Sequence, residues 1–466
     1  MPPTVAAFVF SIGIAGLFYF DREPIRVSKA LWIPTIWLFF CSSRSLAQWL
    51  GLESAVDQAS SYAEGSPVDR YVFILLEVAA LIVVLSRAGR VRSILRRNWA
   101  LGLFFSYALL SMGWSDYPFV TFKHWIKGIG DVMMVLIILT ESDVPGAVKR
   151  TFTRIAFLLV PLSLLLIWYY PSMGRRPTMD WTPEAIGVAT QKNGLGELCD
   201  IVGLALLWRL RDTFNAKKDP NRKRRLLALG VVLMMAVWLL HLCNSMTSIG
   251  ALILAGCVML LSGRTMFRRR PLYLHLVVAG VIVLIVFALF LQSSGSLLAS
   301  LGRNPTLTGR TTVWPELIKL VHHPLVGVGY ESFWLGSRLL KVWVITQGLP
   351  INEAHSGYVE MLLTGGWVGI ILMSGLITTG YRNAIAAYRR DPDVTGLRIA
   401  WILAPLITGF TEAAFRMMCP TWIVLVLATT NTQWKTASSA ELPADATRQF
   451  QQPRAASLVT SATKRR

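Results

Sequence analysis

The sequence predicts an all-α polytopic integral membrane protein with about 12–13 transmembrane helices and one long extracytoplasmic loop. Three observations predict it. Of the 466 residues, 54% are hydrophobic and 15% are charged, where a soluble domain carries about 25% charged residues. The apolar residues come in runs, such as "VVLMMAVWLLHLC" (Val231–Cys243) and "VVAGVIVLIVFALFL" (Val277–Leu291), and not in one-sided helical stripes. Basic residues concentrate in alternate loops.

Taken in order, apolar segments lie near residues 3–20, 30–50, 71–86, 99–113, 128–141, 155–170, 194–208, 226–243, 249–262, 272–291, 359–380, 399–415 and 420–432. About 20 apolar residues cross a hydrocarbon core of about 30 Å as a helix, and a helix satisfies its own backbone there. Twelve spans remain if one terminal segment does not cross. The first segment lacks a basic n-region and a clear cleavage motif, so it is expected to be a retained span. "RAGRVRSILRRN" (Arg87–Asn98), "RLRDTFNAKKDPNRKRR" (Arg209–Arg225) and "GRTMFRRRP" (Gly263–Pro271) hold much of the positive charge. With the loops at 21–29, 141–154 and 381–398 and the tail from 433, they carry 33 of the 46 lysines and arginines. This is the positive-inside pattern. It predicts cytoplasmic basic loops, a cytoplasmic C-terminus and, with thirteen spans, an N-terminus outside. The net charge of +20 is thereby explained without nucleic acid.

The chain divides into helices 1–10 over 1–291, a long outer loop over 292–358 with short amphipathic helices, the last membrane helices over 359–432 and a cytoplasmic tail over 433–466. The tail is rich in Ala, Ser, Thr and Gln, a composition expected to be disordered. A loop as long as the one from Gln292 to about Tyr358 is usually functional or disordered, and Trp314, Trp334 and Trp343 argue for order. "TTVWPELIKLVHHP" reads as an amphipathic helix with Trp314, Leu317, Ile318 and Val321 on one face, Pro315 in its first turn and Pro324 as its stop. Cys41, Cys199, Cys243, Cys257 and Cys419 show no metal spacing. His322 and His323, if helical, point about 100° apart and do not share a metal.

The candidate chemistry lies on the outer side. Basic residues near span ends fit a bound anion at the outer leaflet; lipid headgroup contact and simple solvation are the plainer readings. In "TLTGRTTVWPELIKLVHHPLVGVGYESFW" (Thr306–Trp334), Gly309 sets Arg310 at the base of a helix, and an arginine fork suits bidentate phosphate binding. "INEAHSGYVEMLLTGGWVGI" (Ile351–Ile370) holds His355 between Glu353 and Ser356. Ser356 is placed to cap a helix from Gly357, which Gly365-Gly366 interrupts. A histidine there sits at the positive end of a helix dipole, which favours the neutral ring. A neutral imidazole accepts a proton near pH 7. The alternatives are a histidine that braces its loop and Glu353 as the base. Glu77, Asp131, Glu197, Asp200 and Glu412 are further candidates, because ionisable groups in spans are costly. Glu412 and Arg416, and Lys127 and Asp131, sit at i,i+4 and have a simple pairing as the plain reading.

Five stretches in order resemble the O-antigen ligase and polymerase superfamily: "WSDYP" (Trp114–Pro118), "GVATQKNGLGELC" (Gly187–Cys199), "GR" at Arg310, "PLVGVGYESF" (Pro324–Phe333) and "AHSGYVEMLLTGGWVG" (Ala354–Gly369). The resemblance covers about residues 100–430 and is nearest to the exopolysaccharide polymerase branch. It implies a membrane-embedded, class-C-like, metal-independent glycosyltransferase of the bacterial inner membrane, with no cofactor and its active site on the periplasmic side. The implied donor is a glycan on undecaprenyl diphosphate and the acceptor a sugar hydroxyl. Further partners are membrane lipids and other polysaccharide-export proteins. Energy is stored in the donor, and no G-x-x-x-x-G-K-[ST] loop occurs. Carried onto this chain, the resemblance makes His355, Glu353 and Arg310 catalytic, and Lys192, Asn193, Arg303 and Arg416 substrate-binding, with no metal ligand. The chain departs from the family's pattern at "CNSMTSIGA" (Cys243–Ala251), which has no basic residue, and at Ser356, where an asparagine often stands. A ligase to lipid A core and a flippase for lipid-linked sugar are the rival functions. The flippase expects polar sites at mid-membrane and internal repeats, and no repeat is visible here.

Overall fold

The computed structural model describes all residues except 24–26, 53–65, 178–182, 294–307, 350, 433 and 435–466. Among the described residues the regular secondary structure is helical, apart from Arg175–Arg176, which pairs antiparallel with Glu184–Ala185. Four helices are long and apolar enough to cross a membrane: Pro3–Phe20, Val144–Tyr169, Arg222–Cys243 and Gly357–Ala387. Pro67–Ser86 with Ala88–Arg97, bent by 92°, makes a fifth if the pair is one span. The polytopic all-α class stands, with fewer full-length apolar spans than the sequence reading counted. Lys29–Cys41, Trp99–Gly113, Met246–Ser262, Pro271–Leu284 and Pro420–Thr429 are apolar but shorter. Pro118–Leu139 and Lys192–Asn215 are long but carry charges such as Lys123, Lys127, Glu197 and Asp212.

The core packs around Val144–Tyr169, Lys192–Asn215, Pro392–Thr408 and Pro420–Thr429, whose residues are largely buried. Outward faces of peripheral helices keep large apolar residues exposed, such as Leu75, Ile82 and Ile371, as a surface in contact with lipid requires. Loops gather at two ends. Helix Lys192–Asn215 shows this directly. Near its start Asn193 bonds Glu412 at 2.6 Å. Sixteen residues on, roughly 24 Å at the helical rise, Arg209 bonds Asp21 at 2.7 Å. The basic loops at 21–29, 87–98, 141–154 and 209–225 meet at the second end through Arg209–Asp21, Arg87–Glu141 and Ser28–Glu141.

The first end is built around a break in Gly357–Ala387. Gly366 has φ 61° and ψ −163° inside this helix. A side chain there would collide with the Leu325 carbonyl, and a Cβ on Gly327 would come within 2.6 Å of the Gly366 nitrogen. The break frees helix backbone groups that "PLVGVG" then satisfies. Val328 and Gly329 donate to the Leu363 and Thr364 carbonyls, while Trp367 and Val368 donate to Pro324 and Leu325. Unsatisfied backbone groups in an apolar setting cost several kcal/mol each, about what a lost hydrogen bond costs there, so loop and helix are locked together. Tyr107 adds bonds to the Val326 and Gly365 carbonyls. Above this joint Leu317, Phe333, Trp334, Val342 and Leu363 form a small apolar cluster of their own.

Two local expectations change. The amphipathic helix spans Thr308–Lys319 with Pro315 in its interior, so it begins three residues before the "TTVWPELIKLVHHP" stretch read as the helix, and Pro315 does not open it. His322 and His323 follow that helix in an exposed, non-helical stretch.

Candidate functional site

Four segments meet at the first end: Gln191–Asn193 at the start of Lys192–Asn215, Glu331 in the "GVGYES" turn, Glu353–Ser356, and the turns at 409–419 between two apolar helices. His355 Nδ1 lies 3.1 Å from Glu353 Oε1 and 3.7 Å from Glu412 Oε2. The nitrogen is buried, and its contact with Glu353 is at ion-pair distance but outside hydrogen-bond geometry. Glu353 is also reached by Gln191 Nε2 at 3.3 Å and lies 3.8 Å from an Arg416 terminal nitrogen. Arg416 Nε donates to Glu331 Oε2 at 3.2 Å, and the Met417 amide donates to Glu331 Oε1 at 3.3 Å. Asn193 donates to Glu412 Oε1 at 2.6 Å.

The backbone explains how His355 is presented. Its φ is +49°, a region few side-chain-bearing residues occupy. Both neighbours are pinned. The Ala354 amide donates to Glu360 Oε1 at 2.5 Å, and its carbonyl accepts from Trp314 Nε1 at 2.9 Å. Gly357 donates to the Gly409 and Glu412 carbonyls. Ser356 accepts the Val359 amide and so caps the helix. With both flanks held, the turn falls on His355. Glu331 and Met418 have φ values of +52° and +57°, so three of the five such non-glycine residues described lie at this site. Each costs on the order of 1–3 kcal/mol and persists only where the surroundings hold it. The Asp131 carboxylate holds Met418, accepting its amide at 2.8 Å and Trp37 Nε1 at 2.8 Å. This replaces the simple Lys127 pairing expected from spacing. Likewise helix Pro392–Thr408 ends before Glu412, so Glu412 and Arg416 have no helical i,i+4 relation.

Burial pushes the Glu331 carboxyl up to about 8, against the Met417 amide, which favours the charged form. Burial lowers Arg416 to about 10. At neutral pH the guanidinium therefore keeps its charge while Glu331 is close to its own titration point.

Of the residues named from sequence, the structure brings together His355, Glu353, Asn193 and Arg416. Lys192 adjoins them, but its Nζ is taken by Glu184 at 2.5 Å. Arg310 falls in the first turn of Thr308–Lys319, with its side chain outside the described atoms. Arg303 lies outside the described residues. Gln191 was not singled out. From sequence alone Glu331 is only a residue within "PLVGVGYESF", Glu412 only a costly charge and pairing partner, and Glu360 carries no signal. No spacing signal exposes them, since Glu331 and Glu412 reach the site from opposite sides of His355 in the chain. Glu353, His355 and Glu412 each offer a ligand atom, all within 4.8 Å of one another, a set able to hold a divalent ion.

The fold and site define a polytopic membrane protein with a charged, strained cluster at one end of its helices. Residues 229–374 match a family described as O-Antigen ligase. The chain is also 24% identical over 301 residues to "Exopolysaccharide production protein ExoQ" of Rhizobium meliloti (strain 1021), covering 62% of this chain and 66% of that protein. The chain is thus similar to an O-antigen ligase family over less than a third of its length, and it spans just under two thirds of the length of the exopolysaccharide production protein it matches.

Proposed function

We propose that the protein is a metal-independent glycosyltransferase that polymerises undecaprenyl-diphosphate-linked repeat units at the periplasmic face of the bacterial inner membrane. The observation that carries this reading is the placement of His355. With Nδ1 turned to Glu353 and Glu412, Nε2 is the nitrogen left for an acceptor hydroxyl. The hydroxyl oxygen bonds to the anomeric carbon as its proton passes to His355. The bond from that carbon to the diphosphate oxygen breaks, and undecaprenyl diphosphate leaves with the electron pair. Arg416, Asn193 and Lys192 are the cations and donor nearest this centre, and Arg310 is the further candidate for the diphosphate. Removing one group that stabilises the departing charge lowers rate about 10²–10³-fold. Glu353 is the alternative base.

The test is transfer by purified enzyme from lipid-diphosphate-linked repeat units. A ladder of lipid-linked polymers is the expected product. The description of the matching family favours a second reading, ligation to lipid A core. In a deletion strain, single repeat units left on lipid mean polymerase, and full-length polymer left on lipid means ligase. Transport of lipid-linked sugar with no new glycosidic bond would overturn both.

A further inference from the structure

A second cluster lies at the other end, among the basic loops, and plays no part in the proposed chemistry. A cavity of about 340 Å³ opens between the end of helix Pro3–Phe20 and the first turns of Val144–Tyr169, lined by Phe18, Arg22, Arg150 and Arg154 together with Asp21 and Glu23. The two acids do not neutralise the three arginines. Arg209 takes Asp21 at 2.7 Å and Glu23 at 2.9 Å, and Arg225 lies 3.7 Å from Asp21. Arg150 donates to the Glu23 carbonyl, but its buried Nε, and a buried terminal nitrogen of Arg154, have no hydrogen-bond partner among the described residues. Two aromatic rings flank the cavity. Arg154 stacks over Trp32 at 4.1 Å and Arg22 over Tyr19 at 4.6 Å. These rings are 49% and 53% exposed, in the manner of side chains at a membrane–water boundary.

We propose that this cavity binds the phosphate headgroup of an anionic phospholipid. Three arginines supply forked donors for a phosphate, and Phe18 gives the lining an apolar side for acyl chains. Basic pockets between membrane helices on the basic-loop side take such headgroups. The occupant is a lipid and not free phosphate, because the cavity lies between two helices long and apolar enough to cross a membrane, where a headgroup brings its acyl chains alongside them.

The experiment is native mass spectrometry and thermal unfolding of the full-length protein in detergent. It is titrated separately with phosphatidylglycerol, zwitterionic phosphatidylethanolamine and inorganic phosphate. Phosphatidylglycerol alone is expected to raise Tm and to remain bound. At about 1 kcal/mol per arginine near a headgroup, the double change Arg150→Gln with Arg154→Gln should weaken that binding about thirty-fold. Arg22→Gln, at an exposed position, serves if the double variant does not fold, and should weaken it about fivefold. Equal lipid retention by the variants and the parent overturns the proposal. So does a Tm shift that inorganic phosphate reproduces in full.

Discussion

Arg416 donates its Nε to Glu331 Oε2 across 3.2 Å, although 85 positions separate the two residues. The bond ties the turn between the last two apolar helices to the long loop. Burial pushes the Glu331 carboxyl up to about 8, so it gains its negative charge as pH rises through that region. Its charge then cancels Arg416. Donor KM is expected to rise as pH passes through about 8, and Glu331→Gln is expected to flatten that rise. Initial rates at several donor concentrations from pH 6.5 to 9 measure it. A KM that rises equally in Glu331→Gln rules the carboxyl out as the cause.

His355→Ala should lower transfer by about 10²–10⁴-fold, the usual share of a positioned base, with membrane insertion intact. His355→Gln separates two roles, because an amide keeps hydrogen bonding but does not accept a proton at neutral pH. A fully active His355→Gln enzyme would falsify the base assignment and move it to Glu353.

Glu353, His355 and Glu412 have the composition of a cation site, yet the reaction proposed needs no metal. Transfer is expected to persist in excess EDTA at unchanged rate. Activity that falls in EDTA and returns with one divalent ion would make these residues ligands, and the base would have to be found elsewhere.

Gly366→Ala forces a side chain into a left-handed position against the Leu325 carbonyl. Strain of this kind costs on the order of 1–3 kcal/mol, and the steric clash adds to it. Lower Tm and lower membrane abundance are expected, measured by thermal unfolding in detergent. Gly375→Ala, open around its Cα, is the control and should behave like the parent.

Membrane orientation is tested with reporters fused near Ser337 and Ala216. Activity is expected from an outside reporter only at Ser337 and from an inside reporter only at Ala216. The reverse pattern would place the His355 cluster in the cytoplasm, away from any donor presented outside.

The sequence by itself determined the helical class, because apolar runs of spanning length leave a chain no other way to satisfy its backbone in lipid. It also fixed which loops share an end, since charge alternates along the chain. It marked the Ser356 cap, the Gly365-Gly366 break and His355, because these depend on neighbours a few residues apart. Tertiary structure decided the rest. Glu331, Glu412 and Gln191 join the cluster around His355 through long-range packing that no spacing encodes. The left-handed turn at His355 follows from Trp314 and Glu360 pinning Ala354. Helical spacing misdescribed Glu412 and Arg416, which lie beyond the end of their helix, and Asp131, whose carboxylate takes the distant Met418 amide. A local pattern reports what a residue meets within one turn of chain, and the site is assembled from segments more than 200 residues apart.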